Sequence, residues 1–186
     1  DQELVFDFLI DTQPQNFGMY VGKKVTAFLS TVRVTLMELA KKADGPMACT
    51  VFGFNGFPTM FNRDFLEVSL LKSDDHALLE KICLDLETNH LVVDDRVAMV
   101  TPRVVCMINN EAYYTVQEGT ATREDIDLAM KLGTNYPHGP FEWANAIGIA
   151  NVYHVLEAMY EDTREERYKV CPLLKTKYLK GERFEG

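Results

Sequence analysis

The first half of the chain alternates short apolar runs with polar segments, which is typical of strands separated by helices and turns. Residues 4–10 read Leu-Val-Phe-Asp-Phe-Leu-Ile, an almost continuous apolar run like that of a strand buried on both faces. The pattern predicts further strands and helices: strands at residues 25–30, 48–54, 65–71 and 91–93, and helices at residues 34–43 and from an N-cap at Ser73 to Leu86. This alternating order indicates a mostly parallel sheet covered by helices.

The second half changes character near Ala98, and its apolar spacing is helical throughout. Gly119 and Gly133 follow the last apolar residues of two helical patterns and are predicted to end those helices. Thr122 and Asp125 resemble a capping box that starts the second of them. The predicted helices are residues 102–118, 122–132, 141–147 after Pro140, 149–160, and a last one from Pro172.

The change of pattern divides the chain into an α/β part, residues 1–97, and an all-α part, residues 98–186. With 186 residues, 47% of them hydrophobic and 25% charged, the composition is that of a globular protein and excludes disorder. No apolar run approaches the roughly 20 residues that a membrane-spanning helix needs, so no membrane partner is expected. The formal net charge of −9 would repel a phosphate backbone, which argues against a nucleic-acid partner.

Few residues form a chemical motif. No two of the four cysteines have C-x-x-C spacing, and we expect buried free thiols in a reducing, cytoplasmic compartment: Cys49, Cys83, Cys106 and Cys171. The histidines show no metal-ligand spacing, so no metal site is predicted: His76, His90, His138 and His154. Neither a G-x-G-x-x-G nor a P-loop motif occurs.

The segment from Asn110 to Gly181 carries several motifs in a specific order. These are Asn110-Glu-Ala112, Glu118-Gly119, Glu124-Asp-Ile-Asp127, Ala129-Met-Lys-Leu-Gly133 and Tyr136-Pro-His-Gly-Pro-Phe-Glu142. Their order and spacing strongly resemble the C-terminal helical domain of the 3-hydroxyacyl-CoA dehydrogenases, the NAD-linked enzymes of β-oxidation. The resemblance implies an acyl-CoA substrate, NAD as cofactor, a role in fatty-acid metabolism and a homodimer formed through the C-terminal helices.

The first half resembles the same family more weakly, over landmarks such as Met37-Glu-Leu-Ala40, Phe65-Leu-Glu-Val68 and Val92-Val-Asp94. The resemblance implies a partial Rossmann-like NAD-binding domain over residues 1–97. The chain would begin partway through that domain, with the glycine-rich loop outside it and the cofactor-binding residues unknown. The strand at residues 4–10 would then be an apolar sheet edge that something should cover.

The resemblance implies a catalytic histidine base oriented by a glutamate and helped by a serine and an asparagine. The glutamate falls on Glu67, which is the candidate catalytic residue. The histidine should stand three residues before Asn55, at Phe52, and the serine and asparagine positions carry Val32 and Pro102. The loop between Met60 and Glu67 is about three residues longer than the family's pattern.

Two functions follow from these positions. One is an NAD-dependent 3-hydroxyacyl-CoA dehydrogenase, an oxidoreductase, impaired because three of its four catalytic positions hold groups that cannot do the chemistry. The alternative is a non-catalytic dimeric binding or assembly protein, a pseudoenzyme that retains the fold.

Overall fold

In the part of the chain that the structure describes, five strands form one sheet whose spatial order follows their order along the chain. They are β1 (Glu3–Asp7), β2 (Val25–Ser30), β3 (Thr50–Phe54), β4 (Phe65–Leu70) and β5 (Asn89–Val93). All neighbouring pairs are parallel except β3 and β4, which are antiparallel. This computed structural model describes residues 3–43, 45–61 and 63–181. The mostly parallel sheet followed by helices confirms the predicted fold class.

Two units divide the chain, residues 1–100 and residues 101–186. The first unit adds to the sheet the helices α1 (Gly18–Val21), α2 (Leu36–Lys41) and α3 (His76–Asp85). The second contains α4 (Thr101–Gln117), α5 (Arg123–Thr134), α6 (Pro140–Ile147), α7 (Ile149–Thr163) and α8 (Pro172–Lys180). Short 3₁₀ turns lie at Pro14–Phe17, Ser73–Asp75 and Glu166–Tyr168.

The two faces of the sheet carry separate apolar clusters, because side chains alternate along each strand. One face packs residues such as Ala27, Leu29 and Val51 against the α1 and α2 side of the unit. The other face packs Phe28 and Phe52 with side chains of β4 and α3. Every residue of β2 is buried, which agrees with its place between β1 and β3.

The first strand is shorter than the sequence predicts. It ends at Asp7 because the Asp7 carboxylate accepts the backbone N–H groups of Leu9 at 2.7 Å and Ile10 at 3.1 Å, which turns the chain away from the sheet. Among the described residues β1 pairs only with β2, so it lies at the edge of the sheet. Leu4 on this strand is 38% exposed.

Two of the predicted helix-end residues are wrong. Ser73 is not an N-cap, because it lies in a 3₁₀ turn, and α3 begins only at His76. Gly133 does not end α5, since the helix continues to Thr134 and its C-cap is Asn135 in the left-handed conformation, at φ +55°. The predicted start of α5 is confirmed, because the Thr122 hydroxyl accepts the Asp125 N–H at 3.2 Å.

The start of α6 depends on a carboxylate from α5. The Asp127 carboxylate accepts the N–H groups of Phe141 at 2.8 Å and Glu142 at 3.2 Å, at the first turn of α6. A side chain at Gly139 would collide with Asp127, since a Cβ there would lie 2.2 Å from the Asp127 Cγ. The motif from Asp127 to Glu142 is therefore structural.

The structure also bears on the predictions made for the cysteines and for membrane-spanning helices. All four cysteines are free and buried, which confirms the prediction of unpaired buried thiols. None of the helices in the described part of the chain is long and apolar enough to cross a membrane.

Candidate active site

The antiparallel pair β3 and β4 determines which residue lies opposite Glu67. Their register pairs Phe54 with Val68 and Gly53 with Ser69. One step further, the backbone N–H of Asn55 donates to the Glu67 carbonyl at 3.1 Å. Directly opposed residues of an antiparallel pair project from the same face of the sheet, so Asn55 and Glu67 share a face.

Phe52 lies on the other face. Its side chain is fully buried, and its ring packs at 5.0 Å from the ring of Phe28 in the cluster shared with α3. Because side chains alternate along β3, residue 52 cannot point to the face that carries Glu67. The expectation that a base oriented by Glu67 would stand at Phe52 is therefore wrong on geometric grounds.

The geometry points instead to Asn55 as the position opposite the glutamate. The loop before Glu67 is about three residues longer than the family's pattern when the base position is taken as Phe52. This excess disappears when the base position is taken as Asn55, three residues later. That surplus was the sequence signal that could have located Asn55. Asparagine carries an amide, which does not accept a proton under ordinary conditions.

The Asn55 side chain serves the loop that follows β3. Its Oδ1 accepts the N–H of Phe57 at 3.3 Å, and its Nδ2 faces the Sδ of Met60 at 3.7 Å. Asn55 is only 3% exposed, and Phe57 and Met60 are buried as well. The amide therefore holds this loop against the end of the sheet.

Glu67 is half-buried, and its carboxylate contacts backbone. Its Oε2 accepts the N–H of Val100 at 3.3 Å. Glu67 is thus placed as an acceptor for the segment that follows β5.

The remaining two positions carry no side-chain polar group. Val32 is fully buried; its N–H donates to Asp11 at 2.9 Å and its carbonyl accepts the Ala98 N–H at 2.6 Å. Pro102, in the second unit, is buried in the first turn of α4. Neither residue can donate or accept a proton through its side chain.

Asp11 is a half-buried carboxyl that no sequence pattern singled out. It follows β1 and accepts hydrogen bonds from the N–H groups of Val32 and Arg33, at 2.9 and 2.8 Å, and from the Ser30 hydroxyl at 3.2 Å. Burial raises its pKa from the ordinary 3.8 to about 6, and the hydrogen bonds together with the charge of Arg33 oppose that rise.

We expect this pKa to give the unfolding free energy a pH dependence. Between about pH 4 and pH 6 the folded protein binds a proton at Asp11 that the unfolded chain has released, so the free energy of unfolding falls as the pH rises. The fall is at most about 3 kcal/mol. Urea unfolding measured across this pH range should show the fall in the free energy of unfolding. In Asp11→Asn the free energy of unfolding should depend less on pH over the same range. An unchanged slope in the variant would contradict the assignment.

The amino terminus of α2 does not fit the pyrophosphate of a dinucleotide. In a parallel α/β sheet a pyrophosphate binds at the N-terminus of the helix that follows a strand. The N-terminal N–H groups of α2, which follows β2, already donate to the Asp95 carboxylate: Leu36 and Met37 each lie 2.9 Å from it. The Thr35–Glu38 capping box occupies the same end of the helix.

No metal centre is formed by the described residues, since no group of three or more His, Cys, Asp or Glu side chains is arranged to hold an ion. Among the described residues, those with unusual environments are Asp11 and Asn55, which follow β1 and β3, and Glu67, which lies in the amino-terminal half of β4.

Comparison with known proteins relates the chain to one family. A sequence model described as the 3-hydroxyacyl-CoA dehydrogenase, C-terminal domain, matches residues 99–184. The chain is 38% identical over 155 residues to the 3-hydroxybutyryl-CoA dehydrogenase of Bradyrhizobium diazoefficiens, a match covering 81% of this chain and 52% of that protein. It is 35% identical over 182 residues to the probable 3-hydroxybutyryl-CoA dehydrogenase of Deinococcus radiodurans, covering 94% of this chain and 66% of that one.

Solved structures agree in fold. The crystal structure of M. tuberculosis FadB2 matches with a TM-score of 0.84 at 21% identity, covering 97% of this chain and 67% of that chain. The chain spans between about half and two thirds of the length of the two curated relatives.

Proposed function

The chain belongs to the 3-hydroxyacyl-CoA dehydrogenase family, and on that premise we propose that it is a catalytically impaired member. Its inherited reaction is the NAD-linked oxidation of a 3-hydroxyacyl-CoA. The proposed ligand class is an acyl-CoA thioester, since the two relatives are named as 3-hydroxybutyryl-CoA dehydrogenases.

One observation carries this proposal: the residue that faces Glu67 from β3 is Asn55, an amide. The family's reaction removes the proton of the 3-hydroxyl while hydride leaves C3, and an amide cannot take that proton. General-base help is typically worth 10²–10⁴ in rate. Val32 and Pro102 lack the hydroxyl and the amide that would assist, so Glu67 alone would remain of the four catalytic groups.

The proposal is tested by assaying NADH formation from NAD and 3-hydroxybutyryl-CoA with the purified chain. We expect turnover at least about 10²-fold below the roughly 10 s⁻¹ that is typical of enzymes. The Bradyrhizobium relative, assayed alongside, is the positive control. Turnover within about tenfold of the typical value would contradict the proposal.

A second candidate, a non-catalytic dimeric binding or assembly protein, is favoured by the apolar surface of α5. No residue of α5 is buried in the second unit, and Leu128 and Leu132 are 54% and 78% exposed. These two leucines stand four residues apart and so lie on one face of the helix, which suits association with a second copy.

The dimer is tested by light scattering at micromolar concentration. We expect the mass of two chains for the unmodified protein and of one chain for a Leu128→Lys/Leu132→Lys variant. Leu84→Lys is the matched control, because Leu84 is also 78% exposed but belongs to the first unit. A single-chain mass for the unmodified protein would exclude this candidate.

The buried free thiols support a reducing compartment such as the cytoplasm as part of the same proposal.

A further inference from the structure

A buried segment with an unusual backbone follows β5. Val97, Ala98 and Met99 are 3%, 0% and 4% exposed. Ala98 and Met99 have φ angles of +66° and +43°, so two consecutive residues with a Cβ lie in the left-handed region. That conformation is unfavourable for such residues and persists only where surrounding contacts impose it.

Backbone hydrogen bonds to two other elements hold the segment in place. The Ala98 N–H donates to the Val32 carbonyl at 2.6 Å, and the Val100 N–H donates to the Glu67 carboxylate at 3.3 Å. Val32 lies just after β2 and Glu67 lies within β4. The contacts therefore tie the segment to the carboxyl end of β2 and to the amino-terminal half of β4, which is antiparallel to β3.

Val32 and Glu67 are also positions at which the resemblance implies catalytic groups. In this chain they supply acceptors to the 97–100 segment. Asn55 lies opposite Glu67, and its side chain binds the loop after β3. At this end of the sheet the Val32 main-chain carbonyl, the Glu67 carboxylate and the Asn55 amide therefore all bind backbone or loop atoms.

We propose that residues 97–100 form a strained strap with a closed and an open state, and that Glu67 is the positioning residue that keeps it closed. In the closed state Val100 is bonded to Glu67 and Ala98 to Val32. In the open state both N–H groups are released and the backbone at 98 and 99 relaxes to ordinary φ values. This inference does not depend on whether the chain oxidises a substrate.

The roles of Glu67 as an anchor and as a charged catalytic partner predict different substitution patterns. A glutamine at 67 still offers a side-chain carbonyl to the Val100 N–H, whereas an alanine does not. An anchor therefore tolerates Glu67→Gln and fails in Glu67→Ala. A role that needs the negative charge fails in both.

Amide hydrogen exchange of the full chain, followed residue by residue by NMR, tests the strap. In Glu67→Ala we expect the Val100 amide to exchange about fivefold to tenfold faster, the effect of losing one hydrogen bond. In Glu67→Gln and in the control Glu80→Ala, an exposed carboxylate on α3, we expect no change. In Ala98→Gly we expect slower exchange of residues 98–100, after correction for intrinsic rates, because glycine adopts the required φ without strain.

Three results would overturn the inference. The first is unchanged Val100 exchange in Glu67→Ala, and the second is an equal acceleration in Glu67→Gln. The third is an acceleration in Glu67→Ala that is matched by the amides of α3, because that would report a loss of overall stability and no local opening.

Discussion

Asn55→His is expected to destabilise the fold less than Phe52→His and to bring an imidazole to the face that carries Glu67, whereas Phe52→His is expected to cost about 3 kcal/mol or more. The two substitutions introduce the same side chain three residues apart. They differ in face: residue 55 shares the face of Glu67, and residue 52 lies in the apolar cluster of the opposite face. The pair therefore tests which position could have held a base.

The imidazole pKa reports the environment directly. In Asn55→His the Glu67 carboxylate opposes the lowering by burial, so the imidazole pKa should lie about 1 unit above that of Asn55→His/Glu67→Gln. Relative to that double variant, the stability added by the charge pair is present at low pH and is lost as the pH rises through the imidazole pKa. In Phe52→His burial alone should lower the pKa.

NMR titration of the imidazole protons measures both values, and urea unfolding measures the stabilities. The double variant Asn55→His/Glu67→Gln is the control, and it should lose the upward shift. The base position would return to residue 52 if the imidazole pKa were raised by Glu67 in Phe52→His and were not raised in Asn55→His. Turnover is not expected from Asn55→His alone, because Val32 and Pro102 remain.

Gly53→Ala is expected to destabilise the first unit by about 1–3 kcal/mol, and Gly53→Val by more. Gly53 lies in β3, in the middle of the sheet, with a neighbouring strand on each side. A Cβ at this position would lie 2.2 Å from the Thr31 Oγ1 and 2.3 Å from the Ser69 Oγ. Both hydroxyls belong to short side chains that have little freedom to withdraw, so the strands themselves must move apart.

Gly133→Ala is the matched comparison. Gly133 lies within α5, and a Cβ there would meet no atom within 4 Å. Since glycine is about 1 kcal/mol less favourable than alanine inside a helix, this substitution should stabilise the second unit by up to that amount. Thermal unfolding of the two variants should show shifts of opposite sign. Combining Gly53→Ala with Ser69→Ala should recover part of the loss, and a strictly additive double variant would contradict the steric explanation.

The sequence predicted those elements whose ends are set by their own residues. The bounds of β2 were predicted correctly, because an apolar run ends where polar loop residues begin. The start of α5 was predicted correctly from Thr122 and Asp125, since capping is a contact over three residues. The first strand was predicted too long because its end is set by the Asp7 side chain, which a hydrophobicity pattern does not detect.

The catalytic positions were harder because they depend on register. Glu67 and the residue opposite it are related by the pairing of β3 with β4, and a shift along one strand changes the face on which a side chain lies. Counting back from Asn55 selected Phe52, which the structure places on the wrong face. Asp11 and Asp95 act on backbone N–H groups about 20 to 60 residues away, so no local pattern could have identified their roles.

The order of the strands in space has a consequence for how the first unit folds. Every ladder of the sheet joins two strands that are consecutive in the chain, from β1–β2 through β4–β5. Each new strand therefore pairs with its immediate predecessor and waits for no later part of the chain, which limits the entropy of loop closure at every step. Such local pairing favours rapid assembly, and each strand can add to the growing sheet as it leaves the ribosome.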